Sequence, residues 1–323
     1  MPPTTASATS PATNFAKADM GSFHKAPLAI VTLCLFIGCL FIGATVLSFS
    51  FSPGAALFPT QSSGSNRRFY LGFDRNTYPG DDALPLLRKT FSFTGYWLSP
   101  PPGEKANTWL GKRELLRSQG FGFLILYRGP ESTELDRVKD PELAGKVDAQ
   151  AAAEAAEREG FRRGSIIFLD IEEGGRLPPT YHAYIHGWSS NLLAIHGGSY
   201  QAGFYCSGIP VKEDAHTTIS TAQDIFSHLA GDSGAFTIWA YNDVCPPSPG
   251  CAFPEDPPAP AESGIPYAAV WQFAQSPRRK EFTAHCPTNY HRDGNCYAPG
   301  DTAHAWFLDV NSATSPDPSG GSR

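Results

Sequence analysis

Long runs of one charge are missing from this chain. Its 323 residues carry 25 lysines and arginines against 31 aspartates and glutamates, a net charge of −6 with no basic stripe. A nucleic-acid partner is therefore excluded, because its binding needs a clustered positive footprint. Several chemical signatures are missing too: no Gly-x-Gly-x-x-Gly after the first strand-like run, no Gly-x-Ser-x-Gly elbow, no His-Glu-x-x-His and no Cys-x-x-Cys. Dinucleotide binding, serine-type acyl transfer and the common zinc signatures lose their support. Cys206, in FYCSG, has no evident histidine partner and reads as a small buried residue. No cofactor is expected.

The segment from Pro27 to Phe51 lacks any charged residue. An apolar helix of this length crosses a hydrocarbon core of about 30 Å. With Lys17, His24 and Lys25 ahead of it, the chain is expected to be membrane-anchored with its bulk outside the cytoplasm. The alternative is secretion after cleavage of a signal peptide near Gly54, Ala55 and Ala56. Residues 1–26, rich in Thr, Ser, Ala and Pro, read as a disordered tail, 52–67 as a linker, and 314–323 as a disordered C-terminal tail. Cys245 and Cys251 bracket one short loop and Cys286 and Cys296 another, as expected of disulfides in an oxidising compartment; a zinc site from these four is the competing idea.

Between residues 68 and 313, eight β-branched and aromatic runs alternate with helix-like segments: 69–73, 93–98, 121–127, 165–171, 201–206, 235–241, 268–273 and 305–310. The clearest helices are 146–159, 180–196, 110–119 and 218–230, each followed directly by glycine. Such alternation predicts parallel pairing and an α/β fold, a closed (β/α)8 TIM barrel preceded by one transmembrane helix, with a doubly wound open sheet as the alternative. The helices after strands two, six and seven are poorly marked, so that side should be irregular.

The run IIFLDIEEGG, 166–175, ends in acids. Residues two apart on a strand point to one side, so Asp170 and Glu172 should both face the mouth of the barrel, and Glu173 should be a solvated loop residue. Two neighbouring carboxyls repel, and burying them costs free energy, so stability gives no reason for the pair. What the pair offers is divergent protonation: the more buried acid keeps its proton and its neighbour stays charged. Asp74 at the end of the first run and Asp309 in the last bring two more acids to that rim. A divalent metal held by these acids, and a weaker one on His182 and His186, are competing ideas; no metal is expected. Tyr127, Tyr205, Tyr241 and Trp271 with Gln272 stand near strand ends, where aromatic rings can stack on sugars and donate to hydroxyls.

GFD, LDIE, GFYCSG, IWAYN, VWQF and FLDVN resemble the strand-end motifs of the family 25 glycoside hydrolases, the lysozyme-type muramidases. With GFDRNTYPGD, YWLSPPPG and the glycine-rich stretch from Gly160 to Gly164, the chain is more similar still to the DUF1906 domain family, described as glycoside-hydrolase-like; the resemblance spans Arg68 to Ser312. It implies a modified TIM barrel with Glu172 as general acid and Asp170 stabilising positive charge or assisting the substrate acetamido group. Asp74 and Asp309 would orient these and the attacking water. The implied activity is hydrolysis of β-1,4 bonds in an amino-sugar polymer such as peptidoglycan. The alternative is a catalytically silent barrel that binds cell-wall glycan as a scaffold.

Overall fold

The structure is a computed structural model and describes residues 68–194, 199–231, 235–245, 256–275 and 308–322. The N-terminal tail, the apolar segment 27–51 and the linker lie outside these residues. So do Cys251, Cys286 and Cys296, and with them both expected bridges. Among the described residues no helix is long and apolar enough to cross a membrane.

Among the described residues ten strands occur in the order β1 (Tyr70–Asp74), β2 (Phe93–Trp97), β3 (Gly122–Arg128), β4 (Ile166–Ile171), β5 (Gln201–Ser207), β6 (Val211–Lys212), β7 (Thr218–Ile219), β8 (Phe236–Cys245), β9 (Ala268–Gln275) and β10 (Asp309–Ala313). Eight of them close a barrel in the order β1-β10-β9-β8-β5-β4-β3-β2, and β6 and β7 form a separate hairpin. The helices are α1 (Leu84–Leu87), α2 (Arg113–Ser118), α3 (Ser132–Leu135), α4 (Pro141–Arg158), α5 (Pro179–Ala194) and α6 (Thr221–Leu229). Between β8 and β9 the described residues contain only a single 3-10 turn, Pro260–Ser263, which makes that side irregular as its sequence suggests.

One strand departs from the expected pattern. β10 pairs antiparallel with both β1 and β9, so the barrel is not wholly parallel. Asp309 is accordingly the first residue of its strand, not near its end. Reversal of the strand still delivers it to the same rim, directly opposite Asp74.

Local chemistry explains the long helices. Asp140 caps α4 by accepting from the Leu143 N–H at 3.0 Å, with Pro141 in the first turn, where its missing N–H costs nothing. Ser220 and Gln223 form a capping box on α6. α4 and α5 touch backbone to backbone: a Cβ on Gly145 would lie 2.1 Å from the Tyr184 carbonyl oxygen, and one on Gly187 2.0 Å from that of Glu142. Only glycine fits at such a crossing. Inside the barrel the Phe168 ring meets Trp239 edge to face at 5.6 Å, and Gly203 leaves room for it.

The C-terminal residues are ordered, contrary to their tail-like composition. β3 and β4 begin to pair only at Ile125 and Ile167, so their first residues splay apart and leave ladder groups without strand partners. Residues 317–319 fill that wedge. Asp317 Oδ1 accepts from the Phe123 N–H at 3.0 Å, Ser319 Oγ from the Ile125 N–H at 2.9 Å, and the Ser319 carbonyl from the Ile166 N–H at 2.9 Å. Ser319 N–H in turn donates to the Phe123 carbonyl at 2.9 Å. Arg113 Nη2 reaches the Gly321 carbonyl at 2.8 Å and fastens the segment to α2.

Candidate active site

The rim at the C-terminal ends of the parallel strands gathers the acids. Asp74 is buried, and its Oδ1 accepts from Gln272 Nε2 at 3.0 Å and Asn311 Nδ2 at 2.7 Å. Gln272 Oε1 accepts from the Tyr205 hydroxyl at 2.8 Å, and Asn311 Oδ1 from Trp239 Nε1 at 2.9 Å. A chain of hydrogen bonds therefore links β5, β9, β1, β10 and β8 across the barrel. Space for it comes from Gly95 on β2, where a Cβ would lie 2.6 Å from that of Asp74.

Asp170 is only 4% exposed. Burial first, then the charges of Glu172 and Asp74, push its carboxyl well above the usual carboxylate range, with Arg128 pulling the other way. Among the described residues no group donates a hydrogen bond to that carboxyl. It instead lines a cavity of about 280 Å³ with Arg128, Gly129, Glu131, Glu172 and Glu173. Glu172 lies one residue beyond the end of β4 and is exposed. Gly129 fits here because its N–H donates to the Asp170 carbonyl at 2.9 Å, too close for any side chain.

Tyr205 reports the convergence of the four acids. Its hydroxyl is raised well above the ordinary phenol range by burial first, and then by Asp74, Asp170, Asp309 and Glu172. All four carboxyls act on one phenol. Its ring also packs against Trp239 at 4.7 Å. Tyr241 lies on the same side of the sheet, raised by burial and then by Asp243 and Asp309.

Two expected cleft residues point elsewhere. Tyr127 sits one residue before Arg128, whose register partner is the inward-facing Asp170, so strand alternation turns Tyr127 to the outer face. There its ring lies 5.6 Å from Trp188, and burial together with Asp148 pushes its hydroxyl up to about 12. Trp271 neighbours the inward-facing Gln272 and also turns outward, packing on Phe273 at 5.6 Å and donating through Nε1 to the Asn242 carbonyl at 2.9 Å. Glu173 is not a solvated loop residue: its Oε1 accepts from the Ser132 N–H at 2.7 Å and ties the loop after β4 to α3.

Among the described residues no group of three or more His, Cys, Asp or Glu side chains is placed to hold a metal. His182 Nε2 lies 2.7 Å from Asp224 Oδ2 and its ring stacks on His228 at 4.2 Å, whereas His186 Nδ1 faces Glu142 Oε1 at 3.7 Å. The two histidines thus serve different carboxylates. Cys206 is buried, and burial alone raises its thiol. Three participants went unnoticed in the sequence: Asn311, Arg128 and Gly95. Asn311 had a legible signal, because it stands two residues after Asp309 in FLDVN and so shares its face.

Residues 94–247 match the family described as Rv2525c-like, glycoside hydrolase-like domain, and the resemblance read from the strand-end motifs holds. The chain carries a glycoside hydrolase-like domain. Solved structures similar to it include an uncharacterized protein of B. stearothermophilus, at 20% identity and a TM-score of 0.47, covering 76% of this chain and 95% of that one. Another is the Tat-secreted protein Rv2525c of Mycobacterium tuberculosis in complex with L-tartrate, at 14% identity and 0.44, covering 77% and 96%. A third is the modular autolysin LytC of Streptococcus pneumoniae with a synthetic peptidoglycan ligand, at 10% identity and 0.41, covering 76% of this chain and 46% of that one. No curated protein sequence matches the chain.

Proposed function

We propose that this protein is an exported glycoside hydrolase that cleaves β-1,4 bonds of peptidoglycan or a related amino-sugar polymer. The observation that carries the reading is Asp170: a buried carboxyl, open to a cavity, free of donors among the described residues and flanked by a second acid. Folding gains nothing from such a group, whereas acid-base chemistry on a glycosidic bond needs one.

Burial, with Glu172 and Asp74 beside it, keeps the Asp170 carboxyl well above the usual carboxylate range, so Asp170 is the acid that holds a proton. That proton passes through Glu172, which lies exposed at the mouth, to the leaving oxygen of a sugar chain lying over it. Asp170, then charged, stabilises the developing positive charge or assists an acetamido group. Asp74, fixed by Gln272 and Asn311, and Asp309 opposite it orient the pair and the attacking water. Tyr205 and Tyr241 contact the sugar.

The segment 27–51 anchors the chain with the barrel outside the cytoplasm, and Cys245–Cys251 and Cys286–Cys296 pair there. The first experiment is incubation of the purified full chain with peptidoglycan, beside Glu172→Gln, with new reducing ends resolved by chromatography and mass spectrometry. Products from the parent alone establish the hydrolase. Products from neither, with both binding the polymer saturably, replace it with the glycan-binding scaffold.

A further inference from the structure

A second, larger cavity abuts the first and shares Arg128 and Pro130 with it. It measures about 440 Å³, and its polar lining includes Ser99, Glu104, Tyr127 and Asp148. Asp148 lies on the third turn of α4, where Oδ2 accepts from the Tyr184 hydroxyl at 2.7 Å. Among the described residues its other oxygen, Oδ1, takes no hydrogen bond. Burial raises the Asp148 carboxyl against the opposing pull of the Tyr184 hydrogen bond and the Arg128 charge, and Tyr127 lines the same cavity. The guanidinium of Arg128 is already committed to Glu134, Nη2 to Oε2 at 3.0 Å. Its charge also reaches Asp148, so the cavity offers two carboxyls, Asp148 and Glu104, and a phenol oxygen against one guanidinium that Glu134 shares.

An ammonium group has three donors and no acceptor, and this constellation has acceptors to match. A cation beside the half-buried Asp148 carboxyl favours its charged form and offsets the cost of burial further than Tyr184 and Arg128 already do. We infer that the second cavity is a subsite for a primary amine carried on a branch of the glycan, such as the side-chain amine of a diamino acid in a peptide stem. The amine lies between Asp148, Glu104 and the Tyr127 hydroxyl, while the sugar chain crosses Asp170 and Glu172. The shared wall at Arg128 and Pro130 makes the two cavities one bent groove with a glycan arm and an amine arm. This rests on the glycan-hydrolase reading above and names the substrate feature that its site selects.

The test uses the full chain carrying Glu172→Gln, so that bound glycan is not turned over, and three probes: a peptide-free glycan oligomer, the same oligomer with an amine-bearing peptide, and that peptide oligomer with its side-chain amine acetylated. The free-amine oligomer should bind at least about tenfold tighter than the acetylated one, a difference of about 1.4 kcal/mol. Adding Asp148→Asn, which keeps an acceptor for Tyr184, should erase that preference without weakening the peptide-free oligomer. Adding Tyr127→Phe should reduce it in part, which guards against a folding artefact in the Asp148 variant. Equal binding of the free and acetylated amines, with the peptide-free oligomer bound, overturns the inference and leaves the glycan reading standing. No binding of any oligomer overturns both.

Discussion

At the base of the barrel, Asp317 and Ser319 offer their oxygens to the N–H groups of Phe123 and Ile125, which the splayed strands leave without partners. At the rim, the charges of Asp74, Asp170, Glu172 and Asp309 add to burial in raising one phenol, Tyr205, and Asp170 keeps its carboxyl without a donor among the described residues. The same residue types do opposite work at the two ends. A half-buried carboxylate that receives backbone hydrogen bonds, as Asp317 does, stabilises the fold, and a buried one beside like charge costs stability. In a barrel of this kind the first arrangement belongs to the stability face and the second to the catalytic face.

The contrast breaks most visibly in the rates. Glu172→Gln removes one ionisable proton and little volume, so turnover of peptidoglycan should fall by at least ~100-fold while the melting temperature stays put. A matching loss of Tm would mean that Glu172 is structural. At the base the signs reverse: Asp317→Ala leaves backbone donors unsatisfied and should cost about 2–3 kcal/mol in denaturant unfolding, with kcat of the folded fraction unchanged. A drop in kcat there would show that the two ends are coupled.

Gly95→Ala sharpens the comparison from within the rim. The added methyl group presses on Asp74, so about 1–3 kcal/mol of stability should be lost together with activity, because Asp74 is displaced from Gln272 and Asn311. Retained activity at reduced stability would separate Asp74 from the chemistry. Asp170→Asn offers a test in the pH profile of turnover. The raised Asp170 carboxyl is the group whose deprotonation sets the alkaline limb, so whatever activity survives should lack that limb.

Much of this was legible along the chain, for physical reasons that also mark where legibility ends. The strands around Asp170, Tyr205 and Gln272 are short apolar runs with a period of two, and that period places all three inward. Tyr127 and Trp271 were expected in the cleft from closeness to strand ends; the period itself, counted from Asp170 and Gln272, turns them out. The reversed direction of β10 has no local signature, since FLDV reads the same in either orientation, and the rim position of Asp309 survives because the strand's first residue lies there. The wedge at the base was illegible for a different reason. Residues 314–322 have the Ser, Pro, Asp and Gly content of a solvated tail, and the groups that hold them, on Phe123 and Ile125, stand 194 residues away in sequence. Only closure of the barrel creates the demand that they meet.

The most direct test of the contrast is thermal unfolding of Asp170→Asn beside the parent across pH. A carboxyl whose folded-state pKa is raised contributes fully below its unfolded value of about 3.9, and that contribution is lost as pH rises through the folded value. At neutral pH the parent therefore bears a cost that the amide does not. The variant should melt higher by ~2–4 °C at pH 7, for a gain of about 1 kcal/mol in a domain of this size, and the difference should vanish below about pH 4. A variant that melts lower than the parent at pH 7 would mean that the charge at Asp170 stabilises the fold, and would contradict the division of the barrel into a stabilising base and a working rim.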